Sequence, residues 1–230
     1  ARRHNYEPAS IAVFDFNNDG WPDVLAGSVA DDATNQSMFC VYLNNADGTF
    51  AATPPFESGY FYKRDLQMAD MDGDGDLDML WASPGFNGQP TGYVGWARNN
   101  GDSWGNFVYL LEEAVGVLDV LAADLNGDGL NDLVFCQGES PAIDYRLNQG
   151  NGNFVSLQTI ANDFTTALDA QAADLNGDGL MDIIATADNS FGGNDQIAWW
   201  PGTGGGFFGP QQPIYIGGPA MEKFALTDYN

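Results

Sequence analysis

DLNGDGLND, at Asp124–Asp132, is one of four near-copies of a nine-residue pattern in this chain. The others are DFNNDGWPD at Asp15–Asp23, DMDGDGDLD at Asp70–Asp78 and DLNGDGLMD at Asp174–Asp182. The leading Asp recurs after 55, 54 and 50 residues, and 54 residues later the chain reaches Asp228 and Asn230. Each copy lies between two short apolar runs, such as VLDVLAAD before the third copy and DLVFCQG within and after it. A variable link, a third apolar run and a Gly-rich turn ending in Phe50, Phe107, Phe154 or Phe207 complete each unit.

Runs of four to eight residues rich in Val, Ile, Leu and aromatics, bounded by turn formers, predict strands. Each unit then reads as a four-stranded antiparallel sheet of about fifty residues, with the acidic loop between its first two strands. One such sheet cannot bury its own faces, so neighbouring sheets must stack. The expected fold class is therefore all-β, a β-propeller, with a linear β-solenoid as the runner-up. One repeat domain over residues 1–230 is expected, with blades near 10–62, 63–115, 116–166 and 167–220. Residues 221–230 would form the inner strand of an incomplete fifth blade, with Asp228 and Asn230 opening a partial loop. That reading makes the chain an arc of a larger propeller, its other blades coming from further sequence or another chain. The closing Phe of each Gly-rich turn is expected to pack between sheets.

The loops carry the chemistry. Calcium takes six to eight hard oxygen ligands, and the pattern offers side-chain oxygens at positions one, three, five and nine. A backbone carbonyl at position seven supplies another, and Gly at position six allows the sharp turn. The candidate ligands of the first loop are Asp15, Asn17, Asp19, Asp23 and the carbonyl of Trp21. The second loop offers Asp70, Asp72, Asp74, Asp78 and the carbonyl of Asp76. The third offers Asp124, Asn126, Asp128, Asp132 and Leu130, and the fourth Asp174, Asn176, Asp178, Asp182 and Leu180. About four Ca²⁺ are expected, one per complete loop. The pattern opens like an EF-hand loop, but Ala26, Trp81, Phe135 and Ala185 stand where its bidentate Glu would be. Magnesium prefers a smaller octahedral shell, and zinc is disfavoured where the only His is His4.

Composition narrows the function classes. The formal net charge is −25, with 7 basic against 32 acidic residues, which argues against nucleic acid and against anionic membrane. No apolar run is long enough to span a bilayer. Cys40 and Cys136 read as buried free thiols within strands, with a disulfide as the alternative, and Asn35 opens a glycosylation sequon. There is no HExxH or P-loop, and repetition itself argues against catalysis, so a non-enzyme is expected.

Three further features are open to recognition. Asp65, Asp119 and Asp169 each lie five residues before a loop's first Asp, as hydrogen-bonding channel residues or a ligand-facing cluster. The links at 29–38, 84–92 and 187–195 vary most, as recognition loops do. Trp96, Trp104, Trp199 and Trp200 are candidates for stacking on a sugar or protein, or for filling space between sheets. Of the Trp199–Trp200 pair, strand alternation would put one inside and one outside.

With AADLNGDGLND followed by IDYRLNQGNGNF, the units resemble FG-GAP/VCBS repeats, over about Ser10 to Asn230. The resemblance implies a propeller, commonly seven-bladed, of the integrin-alpha kind, with a calcium loop between the first two strands of each blade. It implies a secreted or cell-surface setting. Its members include adhesion modules, lectins and non-catalytic domains attached to enzymes. The expected function is a calcium-stabilised adhesion or assembly module binding protein, with a carbohydrate-binding propeller as the alternative.

Overall fold

The computed structural model describes residues 8–28, 38–54, 56–57, 65–83, 92–114, 116–138, 142–164, 166–188, 195–217 and 224–227. Asn35, Asp228, Asn230 and most of the three variable links lie outside them. The chain divides into two compact units, Ala1–Ala114 and Val115–Asn230. Each holds two blade sheets.

In the first unit, blade one runs β1 (Pro8–Phe14), β2 (Asp23–Ser28), β3 (Met38–Asn44), β4 (Phe50–Ala52) and β5 (Phe56–Glu57). The order is β1-β2-β3-β4, and β5 also pairs with β3, so β4 and β5 are two pieces of one outer edge. Pro54 falls at the break, on the sheet's outer edge among the described residues, where a residue without an N–H is tolerated. Blade two is β6 (Asp65–Ala69), β7 (Asp78–Ser83), β8 (Gly92–Asn99) and β9 (Trp104–Ala114), in sequence order.

In the second unit, blade three is β10 (Val117–Ala123), β11 (Asp132–Gln137), β12 (Ala142–Arg146) and β13 (Gln158–Ala161). Blade four is β14 (Ala167–Ala173), β15 (Asp182–Ala187), β16 (Gln196–Trp200) and, beyond a small hairpin of β17 (Gly202–Gly204) and β18 (Phe207–Phe208), β19 (Gln212–Ile216). All the blade pairings are antiparallel.

The second strands of blades two to four are covered on both faces, so their apolar residues run consecutively rather than alternating: DMLWAS, DLVFCQ and DIIATA are wholly buried, their polar residues included. In the first unit Leu25, Phe39, Val41, Met79 and Trp81 form a core that spans both blades. In the second, Val134, Ile143, Phe164, Ile183 and Trp200 do the same. Trp200 is buried edge-to-face on Phe164, with ring centroids 5.0 Å apart, and Trp199 sits half-buried on the other sheet face. Trp96 is buried, and Trp104 packs against Phe16 at 5.1 Å.

The closing Phe residues depart from expectation. Phe107 packs on the core, but Phe50 and Phe207 are 49% and 63% exposed. In blade four the Gly-rich turn closes its own hairpin, which turns Phe208 inward instead, onto Tyr145 at 5.6 Å. In blade three an isolated bridge between Asn148 and Phe154 plays the hairpin's part before β13 begins. Cys40 and Cys136 are free thiols.

Candidate cation loops

Each acidic loop connects the first and second strands of its blade, and each is wound by its own carboxylates. The first-position Asp gathers backbone N–H groups. Asp124 accepts from Gly127 (2.8 Å) and Asp128 (3.1 Å) through Oδ1 and from Gly129 (2.8 Å) through Oδ2. Asp174 repeats this with Gly177, Asp178 and Gly179, Asp70 accepts from Gly73 and Gly75, and Asp15 from Asp19 and Gly20. At position three the Oδ1 atoms of Asn17, Asp72, Asn126 and Asn176 each accept the amide of position five. Position five in turn takes the amide of position seven: Asp19 from Trp21, Asp74 from Asp76, Asp128 from Leu130 and Asp178 from Leu180. At position six, Gly20, Gly75, Gly129 and Gly179 have φ of 88°, 94°, 87° and 83°. A Cβ there would touch nothing within 4 Å, so backbone conformation, not space, demands glycine.

The ninth position differs from the others. Asp23, Asp78, Asp132 and Asp182 are fully buried. One oxygen of each accepts the amide of loop position two: Phe16 (2.9 Å), Met71 (2.9 Å), Leu125 (2.8 Å) and Leu175 (2.9 Å). The other accepts an amide at the end of the third strand: Asn44, Asn99, Asn148 or, just past β16, Gly202, at 2.7–2.8 Å. This carboxylate therefore clamps three strand ends together. Burial pushes Asp78 and Asp132 up to about 6 against the opposing pull of those hydrogen bonds.

Sequence reasoning missed the Asn at the third strand's end. Asn44, Asn99 and Asn148 donate side-chain N–H to the carbonyls of Pro22, Phe16 and Asn131, and their Oδ1 atoms accept from the following turn. The repeated LNN, RNN and LNQ triplets were the available signal. The two loops of the first unit also meet, where Asn18 Nδ2 donates to Asp76 Oδ1 at 2.7 Å.

The oxygens of one loop lie close enough together to share a metal ion. In the second loop, one oxygen each from Asp70, Asp72 and Asp78 lie within 4.8 Å of one another. Ligands about 2.4 Å from a shared centre span that distance. In the other loops Asn replaces Asp72, which keeps an oxygen and removes a charge. Each ninth-position carboxylate also retains acceptor capacity, since its two oxygens carry about four lone-pair sites.

Asp119 and Asp169 lie buried at the start of inner strands, after a register shift. Asp119 Oδ2 accepts the amide of Ala170 on the next blade's inner strand at 2.9 Å, and Asp169 Oδ2 that of Phe224 at 3.1 Å. Gln171 holds the same 224–227 segment, donating to the Phe224 carbonyl (2.6 Å) and accepting from Leu226 (3.2 Å). This is the hydrogen-bonding arrangement for these two carboxylates; Asp65 begins β6, half-buried. The first unit also has a cleft of about 310 Å³, lined by Thr53, Pro54, Asp102, Ser103, Trp104 and Phe107 among others. No helix among the described residues is long and apolar enough to cross a membrane.

A repeated β-blade whose first hairpin is an oxygen-rich loop defines a class of repeat protein. The FG-GAP-like repeat model matches three times, at residues 15–81, 70–135 and 124–185, and the chain belongs to that family. Comparison with curated proteins gave no match. Among solved structures the chain is similar to a lectin of Agrocybe aegerita, described as specifically recognising non-reducing terminal N-acetylglucosamine. Identity is 21% and the TM-score 0.54, with 90% of this chain and 66% of that chain covered. The likeness agrees with the blade sheets in giving a β-propeller fold.

Proposed function

We propose that the chain is a calcium-stabilised extracellular module for adhesion or assembly, acting through protein contacts and without catalysis of its own. The supporting observation is that all four loops repeat one hydrogen-bond scheme, in which the ninth-position carboxylate ties three strand ends. A repeated clamp suits a scaffold better than a reaction centre, which needs one asymmetric constellation. Asp15, Asp70, Asp124 and Asp174, with the third-, fifth- and ninth-position oxygens, would hold the ions. Four divalent ions would carry the formal charge of −25 to −17, easing self-repulsion and coupling binding to folding.

Carbohydrate binding is the second reading. The first-unit cleft favours it, because Trp104 and Phe107 offer apolar ring surface beside the polar side chains of Thr53, Asp102 and Ser103. The lectin likeness is in keeping with this reading. A glycan array probed with calcium-loaded protein, alongside analytical ultracentrifugation, separates the two. Specific self-association without glycan binding is expected from the adhesion reading. Saturable glycan binding lost in Trp104→Ala would replace it with the second.

A further inference from the structure

The second loop differs from the other three in two respects that meet at one side chain. It alone has Asp at position three and Asp at position seven. It alone has a cation in the third strand directly before the residue whose amide bonds the ninth-position carboxylate: Arg98, where the other blades have Leu43, Leu147 and Pro201. The Arg98 guanidinium lies 3.1 Å from Asp72 Oδ2 and 2.6 Å from Asp74 Oδ2. The loop's own amides use the other oxygen of each carboxylate, Asp72 Oδ1 and Asp74 Oδ1. Arg98 thus holds the oxygens of positions three and five that no loop amide uses.

We propose that Arg98 is a built-in counter-cation of the second loop, which competes with the divalent ion for Asp72 and Asp74 and holds that loop's calcium affinity below what its own carboxylates would give. The inference rests on the reading of the loops as calcium sites. Two effects act in the same direction. A guanidinium within a few ångströms of a divalent ion repels it, with an attenuation that reflects Arg98's 49% side-chain exposure. Calcium must also displace charge-assisted hydrogen bonds from the oxygens it takes. Without calcium, the same arginine offsets repulsion between neighbouring carboxylates, so this loop keeps its shape at lower calcium than its acidity suggests.

The test is a calcium titration of chelator-stripped, ¹⁵N-labelled protein, following the amides of Gly20, Gly75, Gly129 and Gly179. Each donates to the first Asp of its own loop, so each reports one loop. Gly75 of the wild type gives the reference midpoint. Arg98→Leu installs the residue found in blades one and three, and should lower the Gly75 midpoint on the order of tenfold while leaving the other three unchanged. Arg98→Lys keeps the charge but loses the planar fork, and should fall between. A Gly75 midpoint unchanged or raised in Arg98→Leu would overturn the proposal. Silence of Gly20, Gly129 and Gly179 as well would overturn the calcium reading and this inference with it.

Discussion

Asp182→Ala isolates the strand clamp from the metal. Asp182 is fully buried, accepting the amides of Leu175 at 2.9 Å and Gly202 at 2.7 Å. Truncation leaves both donors without that acceptor, and a buried donor left unmade costs about 1–3 kcal/mol, so the loss should be roughly 2–6 kcal/mol. Asp182→Asn keeps the shape and one acceptor oxygen but turns an NH2 toward the other N–H. It should cost at least about 1 kcal/mol. Asp178→Asn, on an exposed carboxylate that takes the amide of Leu180, should stay within about 0.5 kcal/mol. Urea unfolding in excess chelator, followed by circular dichroism, measures all three with no ion to confuse clamp and ligand. An Asp182→Ala loss below about 1 kcal/mol, or one no larger than that of Asp178→Asn, would refute the clamp.

Three other outcomes follow from the same geometry. Asp78 and Asp132 sit at about 6, above the ordinary 3.8, so the stability they contribute is complete below about pH 4 and is lost as pH rises through 6. Chelator-treated protein should therefore lose about 1 kcal/mol per carboxylate from these two groups between pH 5 and 7; buried Asp144 is shifted the same way, and a higher urea midpoint at pH 7 would contradict this. Asp119→Ala removes the acceptor for the buried Ala170 amide and should cost about 1–3 kcal/mol in chemical unfolding while leaving partner binding by the folded protein intact. Gly95→Ala would drive a Cβ into the Trp81 ring and to 2.9 Å from the Val108 carbonyl oxygen, costing about 1–3 kcal/mol by the same assay, and a neutral result would mean the ring can move aside.

Local spacing made most of the fold legible. Nine residues from Asp124 to Asp132 contain a complete loop, and the apolar runs on either side become β10 and β11. What escaped depends on contacts between segments distant in the chain. Arg98 lies 24 residues from Asp74, and no motif spacing joins them. The ninth-position Asp reads as one more ligand by spacing, yet its amide partners lie on two other strand ends. Phe207 and Phe208 are adjacent aromatics, and only the register of the small hairpin decides which one turns inward. Asp119 and Asp169 could be placed at inner-strand starts from the repeat, but their hydrogen bonds depend on the neighbouring strand's offset.

Thermal unfolding with and without calcium tests the central claim most directly. An ion at a hundred times its dissociation constant stabilises a site by about 2.7 kcal/mol, and about 1 kcal/mol moves the midpoint of a chain this size by some 2–4 °C. Four loops that hold calcium should raise Tm by at least about 10 °C over the chelated protein, reversibly on adding the ion back. Superimposable melting curves in chelator and in millimolar calcium would contradict the account.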